Sequence, residues 1–364
     1  MRTVSLSEIN HYSGNTVNPL RFPDEQFELY SVPSYDNQYP EIIKGADIGS
    51  SKVTVEAGDV LICKINPRIN RVWVVSHNTP HQLLASSEWI IVRSPENNAD
   101  YLRHYFKSAR FQTMMVSQVT GIGGSLTRAQ PKQVATYPVP LPDRETQNRI
   151  ADIFNHIEQL VDMRKEQFAT LDELVKSRFV EMFGDPVQNP KKWIQKPFAA
   201  ICENLDSRRV PITSTDRKAG QYPYYGASGI VDYVDEYIFD ENLLLVSEDG
   251  ANLLMRSTPI AFSISGKTWV NNHAHVLRFG SLALQRYIEV YFSMIDISGS
   301  ITGTAQPKLN QAKLNEMLFS IPPESLIEDF YAFLTQADKS KLAVKKSLEE
   351  LEMLKKSLMQ KYFG

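Results

Sequence analysis

Two stretches of the chain repeat each other and decide its fold. Residues 142–184 read PDRETQNRIADIFNHIEQLVDMRKEQFATLDELVKSRFVEMFG, and residues 322–364 read PPESLIEDFYAFLTQADKSKLAVKKSLEELEMLKKSLMQKYFG. They align without a gap at an offset of 180 residues, so that Leu171 meets Leu351 and the final Phe-Gly pairs coincide. A repeat of this kind predicts a molecule with internal two-fold pseudosymmetry.

Apolar residues in these stretches recur at the spacing of an amphipathic helix. In the first stretch Ile150, Ile157 and Leu171 share one column of a seven-residue period, and two neighbouring columns follow the same period. This pattern predicts a helix with one apolar face. Neither stretch contains an internal Pro or Gly after its opening residues, and Gly184 followed by Pro186 is a typical helix end.

The predicted helices cover residues 143–185 and 322–364, and each is roughly 60 Å long at about 1.5 Å per residue. Because a long helix with one apolar face needs a partner, we expect the two helices to pack against each other. The residues expected in this packing are Ile150, Ile157, Leu160, Phe168, Leu171, Leu174, Phe333, Val344, Leu351, Leu354 and Leu358. Taken without its flanking segments, such a pair also fits an ordinary coiled-coil dimerisation stalk.

The segments between the helices are predicted to form two β-rich domains, over residues 1–142 and 186–321. Runs such as VTVEAGDVLICKI at 53–65 and PIAFSISGKTWV at 259–270 alternate or run apolar and are broken by turn residues. The predicted order along the chain is therefore domain, helix, domain, helix.

The two β-rich segments also resemble each other in sequence. Residues 101–106 resemble residues 287–292, a short amphipathic helix in each. A Gly-rich loop followed by Ala-Gln-Pro-Lys at 123–132 resembles residues 298–308, so that Lys308 is the expected counterpart of Lys132. We interpret this as one scaffold used twice with different surfaces, which favours a protein that reads two separated targets.

Composition bounds the class of protein without identifying it. The formal net charge is −3 and 42% of residues are hydrophobic, so both segments can bury a core. Residues 1–142 hold 13 Lys and Arg against 12 Asp and Glu, and the corresponding numbers for residues 186–320 are 13 and 13. The charge balance of the two segments therefore gives no support for DNA binding. Two Cys and the absence of a long apolar run predict a reducing, cytoplasmic setting without a membrane span.

Several stretches are similar to one known family. LDELVKSRFVEMFGDP at 171–186, YPYYGASGIVDYV at 222–234 and STPIAFSISGKTWVNNHAHVL at 257–277 carry the resemblance, with AGDVLICKINPR at 57–68 in the first domain. With the domain-helix-domain-helix order, the whole chain resembles the specificity subunit of type I restriction-modification systems.

The resemblance implies an α+β fold in which two target recognition domains are joined by two long antiparallel helices. Residues 1–142 and 186–321 would be the recognition domains, and 143–185 and 322–364 the spacer helices that set the distance between half-sites. Since the two domains differ in sequence, their DNA target would be bipartite and asymmetric, as expected for unlike domains that meet DNA about a rough two-fold axis.

The resemblance also implies the partners. Methyltransferase subunits, two in number, would dock on the helices, and restriction subunits would join them for cleavage. S-adenosylmethionine would bind to the methyltransferase, so this chain is expected to carry no cofactor, no metal and no catalytic residue of its own. The sequence shows no Asn-Pro-Pro-aromatic or Asp-Pro-Pro-aromatic methyltransferase motif.

Candidate DNA contacts are polar and basic residues in predicted loops, because phosphate contacts position a protein on DNA and contacts to base edges specify the sequence. In the first domain they are Lys64, Asn66, Arg68, Asn70, Arg71, Arg128, Gln130 and Lys132. In the second domain they are Arg208, Arg209, Arg217, Lys218, Tyr224, Tyr225, Lys267 and Lys308, with the two tyrosines equally compatible with a core position.

Two other functions stay open at this point. One is a non-enzymatic coiled-coil adaptor with two protein-binding β domains, which the balanced charges allow. The other is a nucleotide-driven enzyme that uses Gly266-Lys267-Thr268 as a relaxed phosphate loop, but the residues that follow do not predict the helix that such a loop opens. His273 and His275 could share a strand face and bind a metal, although we favour a hydrogen-bonded structural role.

Overall fold

The computed structural model describes residues 2–76, 78–117, 119–120, 127–303 and 306–364. The chain divides into two compact units. Unit 1 comprises residues 1–164 and 347–364, and unit 2 comprises residues 165–346. Each unit combines one predicted β-rich segment with parts of both predicted helical segments. Helices and sheets occur in both units, so the predicted α+β class is confirmed.

Unit 1 is built from short strands and a few helices. Its strands are β1 (Arg2–Ser5), β2 (Thr16–Val17), β3 (Gln26–Tyr30), β4 (Glu41–Lys44), β5 (Lys52–Thr54), β6 (Val60–Cys63), β7 (Val72–Val74), β8 (Gln82–Ala85), β9 (Trp89–Val92), β10 (Val119–Thr120), β11 (Arg128–Ala129) and β12 (Pro138–Leu141). Its helices are α1 (Leu6–Ile9), α2 (Ala99–Phe106), α3 (Ala109–Ser117), α4 (Pro131–Val134) and the first half of α5 (Arg144–Phe183).

Unit 2 repeats the plan with different lengths. Its strands are β13 (Ile194–Pro197), β14 (Cys202–Asn204), β15 (Ala219–Gly226), β16 (Gly229–Val234), β17 (Phe239–Asp240), β18 (Leu243–Ser247), β19 (Ala261–Ile264), β20 (Lys267–Val270), β21 (Ala274–Phe279) and β22 (Leu318–Ile321). Its helices are the second half of α5, then α6 (Asn252–Met255), α7 (Leu282–Met294), α8 (Gln311–Glu316) and the first part of α9 (Glu324–Phe363). The last part of α9 belongs to unit 1.

Strand pairing shows that the two units share one topology. In unit 1 the sheet order is β2-β5-β8-β3-β4, with β3 and β8 parallel, and a second sheet has the order β7-β6-β9. In unit 2 the corresponding orders are β17-β20-β15-β16, with β15 and β20 parallel, and β19-β18-β21-β14. The outer pairs β1–β12 and β13–β22 also correspond, since both are antiparallel and lead into a long helix.

The two long helices have 40 residues each. Asp143 caps the first, because its Oδ1 accepts a hydrogen bond from the Thr146 N–H at 2.8 Å. The helix ends at Gly184, whose φ of +82° is the left-handed conformation predicted for that glycine. The bounds predicted from sequence were 143–185 and 322–364.

The helices run antiparallel where they meet. In unit 1 the Lys355 ammonium lies 2.8 Å from the Glu158 carboxylate, and Arg164 Nε donates to Ser347 Oγ at 3.2 Å. In unit 2 Lys341 lies 2.5 Å from Asp172.

The seam between the helices is narrower than the predicted apolar face. Ile150, Ile157 and Val344 are buried as expected. Residues expected in the packing but more than a third exposed are Leu160, Phe168, Leu174 and Leu354. Those at half-buried positions are Leu171, Phe333, Leu351 and Leu358. These four side chains are open on one side, as a flanking apolar column is when a two-helix pair buries a single seam, and their part in the packing stays a prediction.

Phe-Gly at the end of each repeat closes a core. Phe183 is 2% exposed and lies among Phe179, Tyr287 and Phe330 in unit 2. Phe363 is equally buried in unit 1, against Tyr101, Tyr105 and Phe154. The final aromatic residue of each long helix therefore anchors that helix end to a short helix of the same unit, Leu282–Met294 or Ala99–Phe106.

Candidate nucleic-acid interface

Three backbone segments of unit 1 meet at the edge of its second sheet, and we call residues 64–66, Glu88 and 127–129 the unit 1 junction. The Lys64 N–H donates to the Glu88 carbonyl at 3.0 Å, the Ala129 N–H to the Lys64 carbonyl at 2.8 Å, and the Asn66 N–H to the Thr127 carbonyl at 2.8 Å. These bonds bring four of the predicted DNA contacts, Lys64, Asn66, Arg128 and Gln130, into one neighbourhood.

Unit 2 contains the same arrangement, and we call residues 248–250, His273 and 307–309 the unit 2 junction. The Glu248 N–H donates to the His273 carbonyl at 2.9 Å, the Leu309 N–H to the Glu248 carbonyl at 2.8 Å, and the Gly250 N–H to the Pro307 carbonyl at 3.0 Å. Ile65 pairs with Arg128 in one unit and Asp249 with Lys308 in the other.

This register corrects one prediction. Lys308 occupies the position of Arg128 and not that of Lys132, because both Arg128 and Lys308 lie on the segment that pairs with the junction strand. Lys132 instead lies in α4, which begins at Pro131. The shared Ala-Gln-Pro-Lys letters mislead because residues 307–309 are extended where the first copy turns into a helix. The Gly-rich segment 121–126 and residues 304–305 lie outside the described residues.

Cations dominate the unit 1 junction and the turn beside it. Arg128 is half exposed and pairs with Glu88 at 2.9 Å. Lys64 is half-buried, Lys132 is exposed, and neither has an acidic partner among the residues that the structure describes. The adjoining turn at Pro67–Ile69 exposes Arg68. This side of unit 1 therefore offers positive charge to a polyanion.

Two other predicted contacts in unit 1 serve the fold. Asn70 adopts a left-handed φ of +51° and its Nδ2 donates to the Lys107 carbonyl at 3.0 Å. Arg71 is only 16% exposed, and its Nε lies 3.7 Å from Asp36 without a hydrogen bond. For these two residues the expectation of a solvent-facing loop side chain was wrong, because the turn at Pro67 folds them back against α2 and the first sheet.

The unit 2 junction carries a network of ion pairs around the Glu248 carboxylate, which is only 12% exposed. Arg209 lies 2.7 Å from Glu248, and Lys308 lies 3.1 Å from the other oxygen of the same carboxylate. His275 Nδ1 lies 2.6 Å from Asp206, and its Nε2 lies 2.8 Å from the Leu309 carbonyl. Although burial acts in the opposite direction, the bonds from Arg209 and Lys308 lower the pKa of Glu248. Arg209 was predicted to contact DNA, but at 13% exposure it holds this network together.

Sequence reasoning missed this network because its members are scattered over a hundred residues. Asp206, Glu248 and His275 bring their ligand-type atoms within 4.8 Å of one another, which is close enough for a metal ion. Both carboxylates are already paired with cations, and both nitrogens of His275 face oxygen atoms. Both ring nitrogens of His275 thus lie at hydrogen-bond distance from oxygen atoms, which agrees with the structural role predicted for it, and that role stays a prediction. His273 is exposed and lies 2.9 Å from Asp249.

The remaining predicted contacts of unit 2 cluster on the sheet that contains β15 and β20. Tyr224 is 1% exposed and its ring lies beneath Arg217, which also pairs with Asp232 at 3.2 Å. A DNA contact by Tyr224 is therefore wrong, since its ring belongs to the core of unit 2. Tyr225 is half-buried against Phe262.

Three cations on this side of unit 2 are exposed. Arg208 lies over the Phe239 ring and 3.3 Å from Glu241. Lys267 Nζ lies 4.8 Å from the centre of the Tyr237 ring, and Lys218 stands in the turn before β15. Lys267 is a candidate contact that the structure leaves accessible.

The phosphate-loop alternative loses its structural basis. Gly266 has a φ of +71° and connects β19 to β20, which belong to different sheets. Lys267 and Thr268 thus begin a strand, whereas a phosphate loop opens a helix whose N-terminal amides hold the phosphate. The turn is also not a β-hairpin, because β19 pairs with β18 and β20 with β15 and β17.

An apolar groove lies on the helix pair of unit 1. It has a volume of about 610 Å³ and its floor consists of Ile153, Ile157, Leu354 and Leu358. Charged residues of α5, including Arg149 and Asp152, form its rim. Within the described residues no helix is both long and apolar enough to cross a membrane.

Comparisons with known proteins agree on one family. Residues 190–353 match the family model of the type I restriction modification DNA specificity domain. A Haemophilus influenzae protein described as a type I restriction enzyme specificity subunit is 33% identical over 131 residues, which are 36% of this chain and 34% of that protein. The aligned part thus spans about a third of that relative. The MjaIX specificity subunit of Methanocaldococcus jannaschii is 19% identical over 298 residues, 72% of this chain and 68% of that protein.

Solved structures share the fold over the whole chain. A chain from a structural study of type I R-M complex assembly has a TM-score of 0.60 at 16% identity, covering 100% of this chain and 97% of that one. The type I S subunit from M. genitalium has a TM-score of 0.57 at 11% identity, covering 100% and 96%. The family model, the curated relatives and this fold together support a type I restriction-modification specificity subunit.

Proposed function

We propose that the chain is the DNA sequence-recognition subunit of a type I restriction-modification complex and that it reads a bipartite, asymmetric target. One half-site would be read by unit 1 and the other by unit 2. The observation that carries this proposal is the pair of junctions, which have one backbone pattern and different side chains. A scaffold used twice with two surfaces suits two half-sites that differ in sequence.

The long helices supply the surface for partner subunits. Besides the groove in unit 1, they expose several large apolar side chains, and exposed apolar surface on a helix favours protein contacts. In unit 1 these are Leu160, Met163, Met353 and Leu354, and in unit 2 they are Phe168, Leu174, Val180 and Leu342. We infer that methyltransferase subunits, one for each unit, dock here and that restriction subunits join through them.

Catalysis would belong to those partners. S-adenosylmethionine would bind to the methyltransferase, and this chain would act in the cytoplasm as a non-catalytic subunit without its own cofactor. This assignment is supported by the strand that follows Gly266 and by the paired state of the Asp206, Glu248 and His275 side chains.

An exchange of one recognition domain tests the proposal. Residues 186–320 would be replaced by those of a relative, and the complex would be expressed with its methyltransferase subunit. Long-read sequencing of the host genome should then show methylated adenine in a target of which only one half has changed. The matched control replaces residues 1–142 and should change the other half.

The alternative of a coiled-coil adaptor makes the opposite prediction. Deletion of the gene would then leave genomic adenine methylation unaltered, whereas the proposed function requires that one methylated motif disappears. An unaltered methylated sequence after either domain exchange would also exclude the proposed function.

A further inference from the structure

The two junctions place different charges at equivalent backbone positions. Lys64 in unit 1 corresponds to Glu248 in unit 2, because each donates its N–H to the segment before a core strand and accepts from the third segment. By the same bonds Glu88 corresponds to His273, and Arg128 to Lys308. One position has therefore exchanged a cation for an acid while the backbone has kept its hydrogen bonds.

The cations of the two junctions also differ in their availability. In unit 2, Lys308 and Arg209 share the Glu248 carboxylate, which is only 12% exposed. Moving Lys308 toward another anion would leave that carboxylate with one partner in a poorly solvated place, which is unfavourable. In unit 1, Arg128 pairs with Glu88, but Lys64 and Lys132 have no acidic partner in the described part of the chain.

We propose that Lys64 of the unit 1 junction and Lys132 of α4 form a phosphate-binding surface for duplex DNA and that the unit 2 junction does not. This inference rests on the proposed function and assigns different electrostatic roles to the two junctions. The unit 1 junction and Lys132 then supply more of the electrostatic, sequence-independent affinity than the unit 2 junction does. At the unit 2 junction the Glu248 carboxylate already binds Lys308 and Arg209, so this junction contributes little to the phosphate contacts.

Salt dependence distinguishes the two junctions. Each phosphate that a protein cation neutralises releases condensed counterions, so the slope of log K against log salt changes by about 0.9 for each contact in duplex DNA. Loss of two phosphate contacts should therefore make the slope less steep by about 1.8. Side chains already held in an ion pair within the protein contribute little to that slope.

The experiment measures binding of the full-length chain to a fluorescent duplex of about 30 base pairs over a series of KCl concentrations. The double variant Lys64→Gln with Lys132→Gln is compared with the wild type and with Lys308→Gln, the change at the matched position of unit 2. We expect the slope to fall by about 1.8 in the double variant and to stay at the wild-type value in Lys308→Gln. The single variant Lys64→Gln, which removes no ion pair, should lower the slope by about half as much.

The outcomes separate this inference from the proposed function. If the wild type binds with a salt-dependent slope that the double variant retains, or if Lys308→Gln lowers the slope as much, the assignment of phosphate contacts is overturned and DNA recognition stands. A wild-type chain that binds no duplex, alone or with methyltransferase, would overturn both. Circular dichroism spectra that match the wild type show that each variant is folded.

Discussion

The short helices α2 and α7 do the same work in the two units, and their differences show which features a duplicated fold retains. Tyr101 on α2 donates its hydroxyl to the Pro140 carbonyl at 2.6 Å. Tyr287 on α7 donates its hydroxyl to the Ser320 carbonyl at 2.7 Å. Pro140 and Ser320 are related by the 180-residue offset of the repeat, so the two tyrosines bind equivalent backbone carbonyls.

The charged contacts of these helices do not coincide. Glu158 on α5 and Asp338 on α9 are related by the same offset, and each receives an arginine from the short helix of its unit. The arginine is Arg103 in unit 1 and Arg286 in unit 2, which stand at different positions of their helices. Glu158 also pairs with Lys355 and is 21% exposed, whereas Asp338 is 48% exposed. The hydrogen bonds from tyrosine hydroxyls to backbone carbonyls are thus the same in the two units, whereas the ion pairs between side chains differ.

Removing these two carboxylates should have unequal effects. Glu158→Ala leaves Arg103 and Lys355 without their shared partner in a partly buried place, and we expect unit 1 to lose about 3 kcal/mol of unfolding free energy. Asp338→Ala should destabilise unit 2 by about 1 kcal/mol, because its carboxylate is half exposed and Arg286 retains Glu289 at 2.6 Å. Urea unfolding followed by hydrogen exchange of peptides from each unit measures both values. Equal losses would show that the additional pairing of Glu158 contributes nothing.

Acid should weaken unit 1 before unit 2. His104 is fully buried, and burial lowers its pKa from 6.5 to about 4. Below pH 6.5 the unfolded chain binds a proton at this site that the folded chain does not, so stability falls as the pH falls. Between pH 6.5 and pH 5 the loss should be about 2 kcal/mol. The corresponding residue of unit 2 is Val290, which cannot titrate.

Hydrogen exchange at pH 7 and pH 5 tests this difference. Peptides of α2 should lose protection at pH 5, and peptides of α7 should lose less. The variant His104→Asn removes the titrating ring, so the pH dependence of unit 1 should become shallower. A wild-type pH dependence in that variant would assign the acid sensitivity to other groups. Glu158 is a poor explanation in this window because Arg103 and Lys355, acting against burial, lower its pKa to about 2.

Sequence patterns predicted the long helices and the β-rich segments because these depend on local periodicity. Helix spacing, Gly184 and the β-rich runs such as Val60–Cys63 follow from residues close to one another in the chain. The candidate interface could be predicted only as loops. Arg209 was predicted to contact DNA, and Tyr224 was predicted either to contact DNA or to lie in the core. In the structure Arg209 pairs with Glu248 and Asp206, and the guanidinium of Arg217 lies over the Tyr224 ring. Glu248 lies 39 residues from Arg209 in the chain, and no spacing rule relates these two residues.

The smallest expected effect tests the shared frame itself. Tyr101→Phe and Tyr287→Phe each remove one buried hydroxyl and leave a strand carbonyl without its donor, which should destabilise the unit concerned by about 1.5 kcal/mol. Because the two hydrogen bonds are 2.6 and 2.7 Å long and both rings are at most 1% exposed, the two losses should be equal. Hydrogen exchange of the strand peptides Pro138–Leu141 and Leu318–Ile321 would report the change locally. A clear inequality would mean that the duplicated frame has diverged in energy although its geometry has not.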